Sequence, residues 1–203
     1  MRAAVALADS DGIAALTMRN LGRELGVEAM SLYRHVANKD DLRVAMVQAI
    51  VSEVALPSVD GGWKAGIRRF AISTHDTLIR HRWAAGVMMS GMDTSAPRGR
   101  HMEALLRTLR TSGFSPNLTH HAYHALESHM MGFTLWQVNF PFRAADLPRL
   151  GAEALRQIPA DEFPYTIEHI QQHLAPRDPG ETSEFEFGLD LILDGIERMR
   201  DAT

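Results

Sequence analysis

The chain contains no cysteine. It can therefore build no disulfide framework and use no thiolate as nucleophile or metal ligand, which suits a reducing compartment. Long apolar runs are also missing. The opening MRAAVALA has the look of a signal-peptide head, but it stops at Asp9 and Asp11 and no small-residue cleavage pattern follows, so it reads as a helix. No stretch approaches the roughly 20 apolar residues that span a bilayer. The expectation is a soluble, cytoplasmic protein with no membrane partner. An excess of positive charge is lacking too. The formal net charge is −4, and residues 1–56 set six Arg and Lys against seven Asp and Glu. That argues against strong non-specific DNA binding, although phosphate contacts depend on local clustering rather than on the total. Finally, no enzyme signature occurs: there is no G-x-S-x-G, P-loop, G-x-G-x-x-G or H-E-x-x-H. The chain is not read as an enzyme, and no cofactor or metal is expected.

What is present is helical periodicity without a convincing strand series. With 203 residues and 45% apolar composition the chain can bury a sizeable core. The most telling stretch is Thr17 to Leu42, TMRNLGRELGVEAMSLYRHVANKDDL. Leu21 and Leu25, four apart, share one helical face. Gly22 is small where two helices could cross, and Gly26 follows the last periodic residue, where a chain often needs φ > 0. Leu32 and Val36 repeat the four-residue spacing on a second helix, while Ala29, Met30, Tyr33 and Arg34 point elsewhere. This is a helix-turn-helix whose second helix offers side chains to a major groove. Asn38 is a good N-cap for a further helix running towards Leu56, with Asp40 and Asp41 favourable in its first turn.

LPSVDGG then reads as a linker. Helices are predicted from Trp63 to Ile79, from Trp83 to Ser90, from Pro97 to Ser112, and from Pro116 to about Asn139 with Ser115 as its cap. The prolines at 141, 148, 159 and 164 predict loop with short helices. A capping box, Ser183 to Glu186, opens a last helix to about Met199. The fold expected is all-α, with a helix-turn-helix DNA-binding domain over 1–45 and a larger helical domain over 46–203.

The segments LTMRNLGRELGV (16–27), SLYRHV (31–36) and NKDDL (38–42) resemble the TetR family of bacterial transcriptional repressors. GFSPNLTHHAYHALESHMMGFTL (113–135) and FEFGLDLILDGIERM (185–199) resemble, more loosely, two helices of the C-terminal domain in the tetracycline-repressor branch. The resemblance implies that 46–203 is an effector-binding and dimerisation domain, in a homodimer that binds operator DNA and is released when a small molecule enters the body. It also implies that Arg19, Tyr33, His35 and Lys39 touch DNA. Ala29 and Met30 fall at base-reading positions, where neither can make a bidentate hydrogen bond, so specificity would rest on other residues, on apolar contact with thymine methyls, or on DNA shape; Ser31 and Arg34 are further candidate DNA contacts. Tetracycline repressors place a magnesium-binding histidine in the helix matching VMMSGM (87–92). Here Met88 takes that place, so a tetracycline–magnesium chelate is not expected.

Apolar faces of the central helices suggest a pocket lined by Phe70, Thr74, Met88, Met92, His124, Ser128 and Trp136, suited to a hydrophobic or aromatic effector. Three- and four-residue spacings suggest a dimer interface of Met131, Leu135, Phe185, Leu189, Ile192 and Ile196, with Phe187 and Leu191 widening the stripe. One alternative remains. His120 and His124 lie four apart with Glu127 a turn further on, a spacing a zinc protein or metalloenzyme could use.

Overall fold

A computed structural model describes residues 1–89, 96–141, 144–175 and 180–202, and these are helical without a strand. Eleven α-helices are described: α1 (Arg2–Asp11), α2 (Met18–Leu25), α3 (Ala29–Leu32), α4 (Lys39–Val51), α5 (Trp63–Arg80), α6 (Arg82–Met89), α7 (Ala96–Thr111), α8 (Pro116–Asn139), α9 (Leu147–Gln157), α10 (Pro164–Leu174) and α11 (Glu184–Asp201). The chain forms two compact units, Met1–Val138 together with the last helix, and Asn139–Ser183.

Local chemistry sets several boundaries. The Thr17 hydroxyl caps α2 by accepting from the Asn20 N–H at 3.0 Å, and Asn38 caps α4 through the Asp41 N–H at 2.8 Å. Ser115 caps α8 at 3.2 Å. The helix expected from Lys39 to Leu56 is shorter, ending at Val51 and giving way to turns that carry Val54 into the core. The stretch expected to be loop with short helices holds two eleven-residue helices, α9 and α10. Pro148 and Pro164 stand in the first turns of those helices, where the missing N–H has no partner to lose. Within this unit α9 and α10 cross closely at Gly151, whose Cβ would press on Leu174.

The larger unit has two apolar cores. One gathers Ala4, Ala8, Leu16 and Leu21 of the helix-turn-helix with Met46, Val47 and Ile50 of α4, Trp83 to Met88 of α6, and Met131 of α8. The other packs α5, α7, α8 and α11 around Ile67, Leu109, Leu126, Leu189 and Leu193. Along its flank Lys64 bridges Asp194 and Glu197 at 2.6 and 2.5 Å, and Arg68 bridges Asp190 and Glu186 at 2.7 and 3.1 Å. Such partly exposed pairs contribute little stability but fix the register of α11 on α5. The break at residue 45 is thus not a break in packing: the head and α6 share one core.

Candidate DNA-reading face and effector cavity

The helix-turn-helix is built around Gly22 and Gly26. Gly26 adopts φ 67°, the left-handed turn the sequence implied. A Cβ on Gly22 would lie 2.8 Å from the Val27 carbonyl, so only glycine lets the turn fold back onto α2. Leu21 is buried as expected, whereas Leu25, the last residue of α2, is 47% exposed. The regular part of α3 is short, and its last turn continues through hydrogen bonds from the His35 and Val36 N–H groups to the Leu32 carbonyl.

Of the predicted DNA-contacting residues, Arg19, Met30, Tyr33, Arg34 and His35 are exposed, and Ala29, Ser31 and Lys39 are half-buried. Met30 is 73% exposed, so its side chain is not used by the subunit core. The Ser31 hydroxyl donates to the Glu28 carbonyl at 2.7 Å, so its proton serves the turn itself.

A cavity of about 50 Å³ lies among α4, α5, α6, α7 and α8. Phe70, Thr74 and Met88 line it, as expected; Met92 lies outside the described residues. His124, Ser128 and Trp136 do not line it: all three are on the exposed side of α8. The reason is geometric. Both faces of α8 carry apolar or small residues, and periodicity cannot say which one turns inward. The inner stripe is Tyr123, Glu127, Met130 and Met131, offset by about one residue from the expected one. Sequence reasoning also missed Val54, Arg98, His101 and Met102 in this lining.

The lining is mostly apolar; its polar members are Thr74, Thr77, Arg98, His101, Tyr123 and Glu127. Arg98 Nη2 stands 3.7 Å from Glu127 Oε1, and Arg98 Nη1 donates to the Met88 carbonyl at 3.2 Å. Burial pushes the Glu127 carboxyl above its usual range, against the opposing pull of Arg98 and His124. Burial, with Glu127 adding to it, likewise raises the Tyr123 phenol. His101 meets Phe70 edge-on at 5.5 Å between ring centres, and burial lowers its imidazole below the usual histidine range.

This geometry also corrects the metal alternative. His120 and His124 do approach, with ring centres 4.6 Å apart, but both are exposed, while Glu127 lines the cavity. Among the described residues no three His, Asp or Glu side chains converge as a metal site would need.

The residues expected at the dimer interface differ in how far the subunit itself covers them. Met131, Phe185, Leu189 and Ile196 are buried within the subunit, at 6%, 2%, 0% and 7% exposure, so their apolar area is already used. Leu135 and Ile192 are half-buried. The apolar residues that α11 leaves outside are Phe187, Leu191 and Met199. Beneath the surface His75 stacks on Phe185 at 4.0 Å, and His129 Nε2 donates to the Phe185 carbonyl at 2.8 Å.

A helix-turn-helix head sharing its core with a helical body that encloses a cavity defines a ligand-responsive transcriptional regulator. Residues 1–46 match the bacterial regulatory proteins of the tetR family, and residues 56–200 match the tetracyclin repressor-like C-terminal domain. The chain belongs to the TetR family. It is 30% identical over 209 residues to the HTH-type transcriptional repressor DrrR1 of Streptomyces coeruleorubidus, covering 97% of this chain and 75% of that one. It is 29% identical over 203 residues to the Escherichia coli tetracycline repressor protein class C, covering 98% and 90%. A possible TetR family transcriptional regulator from Streptomyces coelicolor A3(2) has the same fold, with a TM-score of 0.78 at 28% identity over 98% and 97% of the two chains. No helix among the described residues is long and apolar enough to cross a membrane.

Proposed function

We propose that this protein is a homodimeric repressor, with a head of residues 1–45 and a body of 46–203, that leaves its operator when a small, largely apolar effector opens the cavity. It works by binding, without catalysis. The observation that carries this reading is the single apolar core running from α1 and α2 through α6 to Met88, which also lines the cavity. A close-packed core transmits displacement rather than absorbing it. A ligand that prefers one placement of α6 therefore biases the head.

The relatives' names support repression. As it stands the cavity is smaller than the roughly 150 Å³ that accepts a benzene ring. Entry therefore requires widening, and Met88, Met102, Met130 and Met131 in its wall are the adaptable side chains that permit it. On the DNA side Arg19, Tyr33, Arg34, His35 and Lys39 supply phosphate or groove contacts, with Ala29, Met30 and Ser31 against the bases. The exposed stripe of α11, Phe187 and Leu191, with half-buried Leu135 and Ile192, supplies the dimer seam. On α8 the outward residues His124, Ser128, Gly132 and Trp136 repeat every four positions, with small residues at the centre where a partner helix comes close.

The experiment is operator selection from random DNA, followed by fluorescence anisotropy with and without ligands found by thermal shift. The expected result is a two-fold symmetric operator with half-sites about one helical turn apart. It should be released by compounds that raise the melting temperature. Compounds that bind the body and leave operator affinity unchanged would overturn the proposal.

A further inference from the structure

Among the polar residues of the cavity wall, Arg98 and Glu127 face each other without a hydrogen bond. Arg98 Nη2 and Glu127 Oε1 are 3.7 Å apart, beyond hydrogen-bond length. Arg98 spends one N–H on the Met88 carbonyl. The influences on the Glu127 carboxyl are burial and the charges of Arg98 and His124, with no hydrogen bond from a neighbouring donor among them. The two side chains keep 35% and 30% of their surface exposed, so water reaches them; an effector that fills the cavity displaces that water and must replace its hydrogen bonds. Two hydrogen bonds of about 2.8 Å can meet at one oxygen placed between atoms this far apart. A cavity of about 50 Å³ has room for a water at that place.

We propose that the effector carries a hydroxyl that takes this place, accepting from Arg98 and donating to Glu127, on an apolar, ring-bearing body that lies against Phe70 and Met130. A hydroxyl is the smallest group that both accepts and donates at one atom. An ether or a ketone can satisfy Arg98 but leaves Glu127 unpaired; a hydrocarbon satisfies neither. The same arrangement supplies the regulatory link. The other hand of Arg98 holds the Met88 carbonyl at the end of α6, so a hydroxyl that draws on the guanidinium acts on the helix that reaches the head. This inference rests on reading the cavity as the effector site.

The test uses the full-length chain and three matched probes, 2-naphthol, 2-methoxynaphthalene and naphthalene, in calorimetric titration. 2-Naphthol should bind at least about tenfold more tightly than the other two, the worth of a hydrogen bond to a charged group. Glu127→Leu should bring 2-naphthol and 2-methoxynaphthalene, which both still accept from Arg98, within about twofold of one another. Glu127→Gln, which keeps an acceptor, should retain part of the preference and guards against a folding artefact. Equal binding of the probes, no binding by any of them, or a preference for 2-naphthol over 2-methoxynaphthalene that survives Glu127→Leu overturns the inference. Operator anisotropy in the same samples separates it from the regulatory reading. Release of operator by 2-methoxynaphthalene as readily as by 2-naphthol keeps the regulator and discards the hydroxyl. Preferential 2-naphthol binding without release keeps the hydroxyl subsite and counts against the regulator.

Discussion

The indole N–H of Trp83 donates to Asp9 Oδ1 at 2.7 Å, joining the first turn of α6 to the last turn of α1. The same carboxylate accepts from His81 Nδ1 at 2.9 Å. Trp83 is 8% exposed and lies in the core shared by head and body. α6 is thus tied to the DNA-reading head at one end and lines the cavity with Met88 at the other. Asp9→Ala leaves a buried indole donor unpaired, which costs about 1–3 kcal/mol. Denaturant titration should show that loss, and effector-driven operator release should need more ligand than in the parent. Asp9→Asn keeps an acceptor and should be milder in both. Unchanged release by the Ala variant would remove this contact from the coupling path.

The reading face gives a second prediction. Tyr33→Ala and Arg34→Ala replace exposed side chains, so thermal stability should hold within about 0.5 kcal/mol. Operator affinity should fall, and a lost phosphate contact should flatten the salt slope by about one unit on all sequences. Anisotropy at several salt concentrations measures both. Parental affinity in both variants would exclude this face.

The dimer makes a third. Leu191→Glu places a charge in the proposed seam while sparing the core, and light scattering should then report one chain, 22.6 kDa, where the parent reports twice that mass. Leu189→Glu tests the opposite situation. Leu189 is fully buried in its own subunit, so this variant should lose folding cooperativity rather than yield clean monomers.

Acid sensitivity is a fourth. The Thr134 hydroxyl gives its proton to the Met130 carbonyl, so His75 Nδ1 is the donor in the 2.8 Å contact between His75 and Thr134. Burial holds the His75 imidazole below its ordinary range. The folded state thus resists a proton that the unfolded chain accepts near pH 6.5. Stability from this group is present above about pH 6.5 and is lost as pH falls through the lower folded value. The lowered His101 acts in the same direction; Glu127, pushed up by burial, acts in the opposite one, with stability lost as pH rises from about 4.3. Melts from pH 8 to 5 should show the parent weakening on the acid side, and His75→Gln should reduce that loss. An equal acid loss in both would clear His75.

The sequence by itself determined the head. Gly22, Gly26, Thr17 and Asn38 act within a few residues of themselves, through a close crossing, a left-handed turn and two caps, so their spacing carries their meaning. Helices α5, α6, α7 and α8 were legible to within a residue or so because each carries a long apolar period between breakers. Only the tertiary structure decided which face of α8 and α11 turns inward. Both helices are apolar on two sides, and a rotation of about 100° exchanges one stripe for the next without altering the pattern. That rotation put Tyr123 and Glu127 at the cavity and left His124, Ser128 and Trp136 outside. It also sank Phe185 and Leu189 into the core and exposed Phe187 and Leu191. The meeting of Arg98 with Glu127, and of Asp9 with Trp83, joins residues far apart in the chain. Local periodicity holds no record of such distances, because they are set by how whole helices pack.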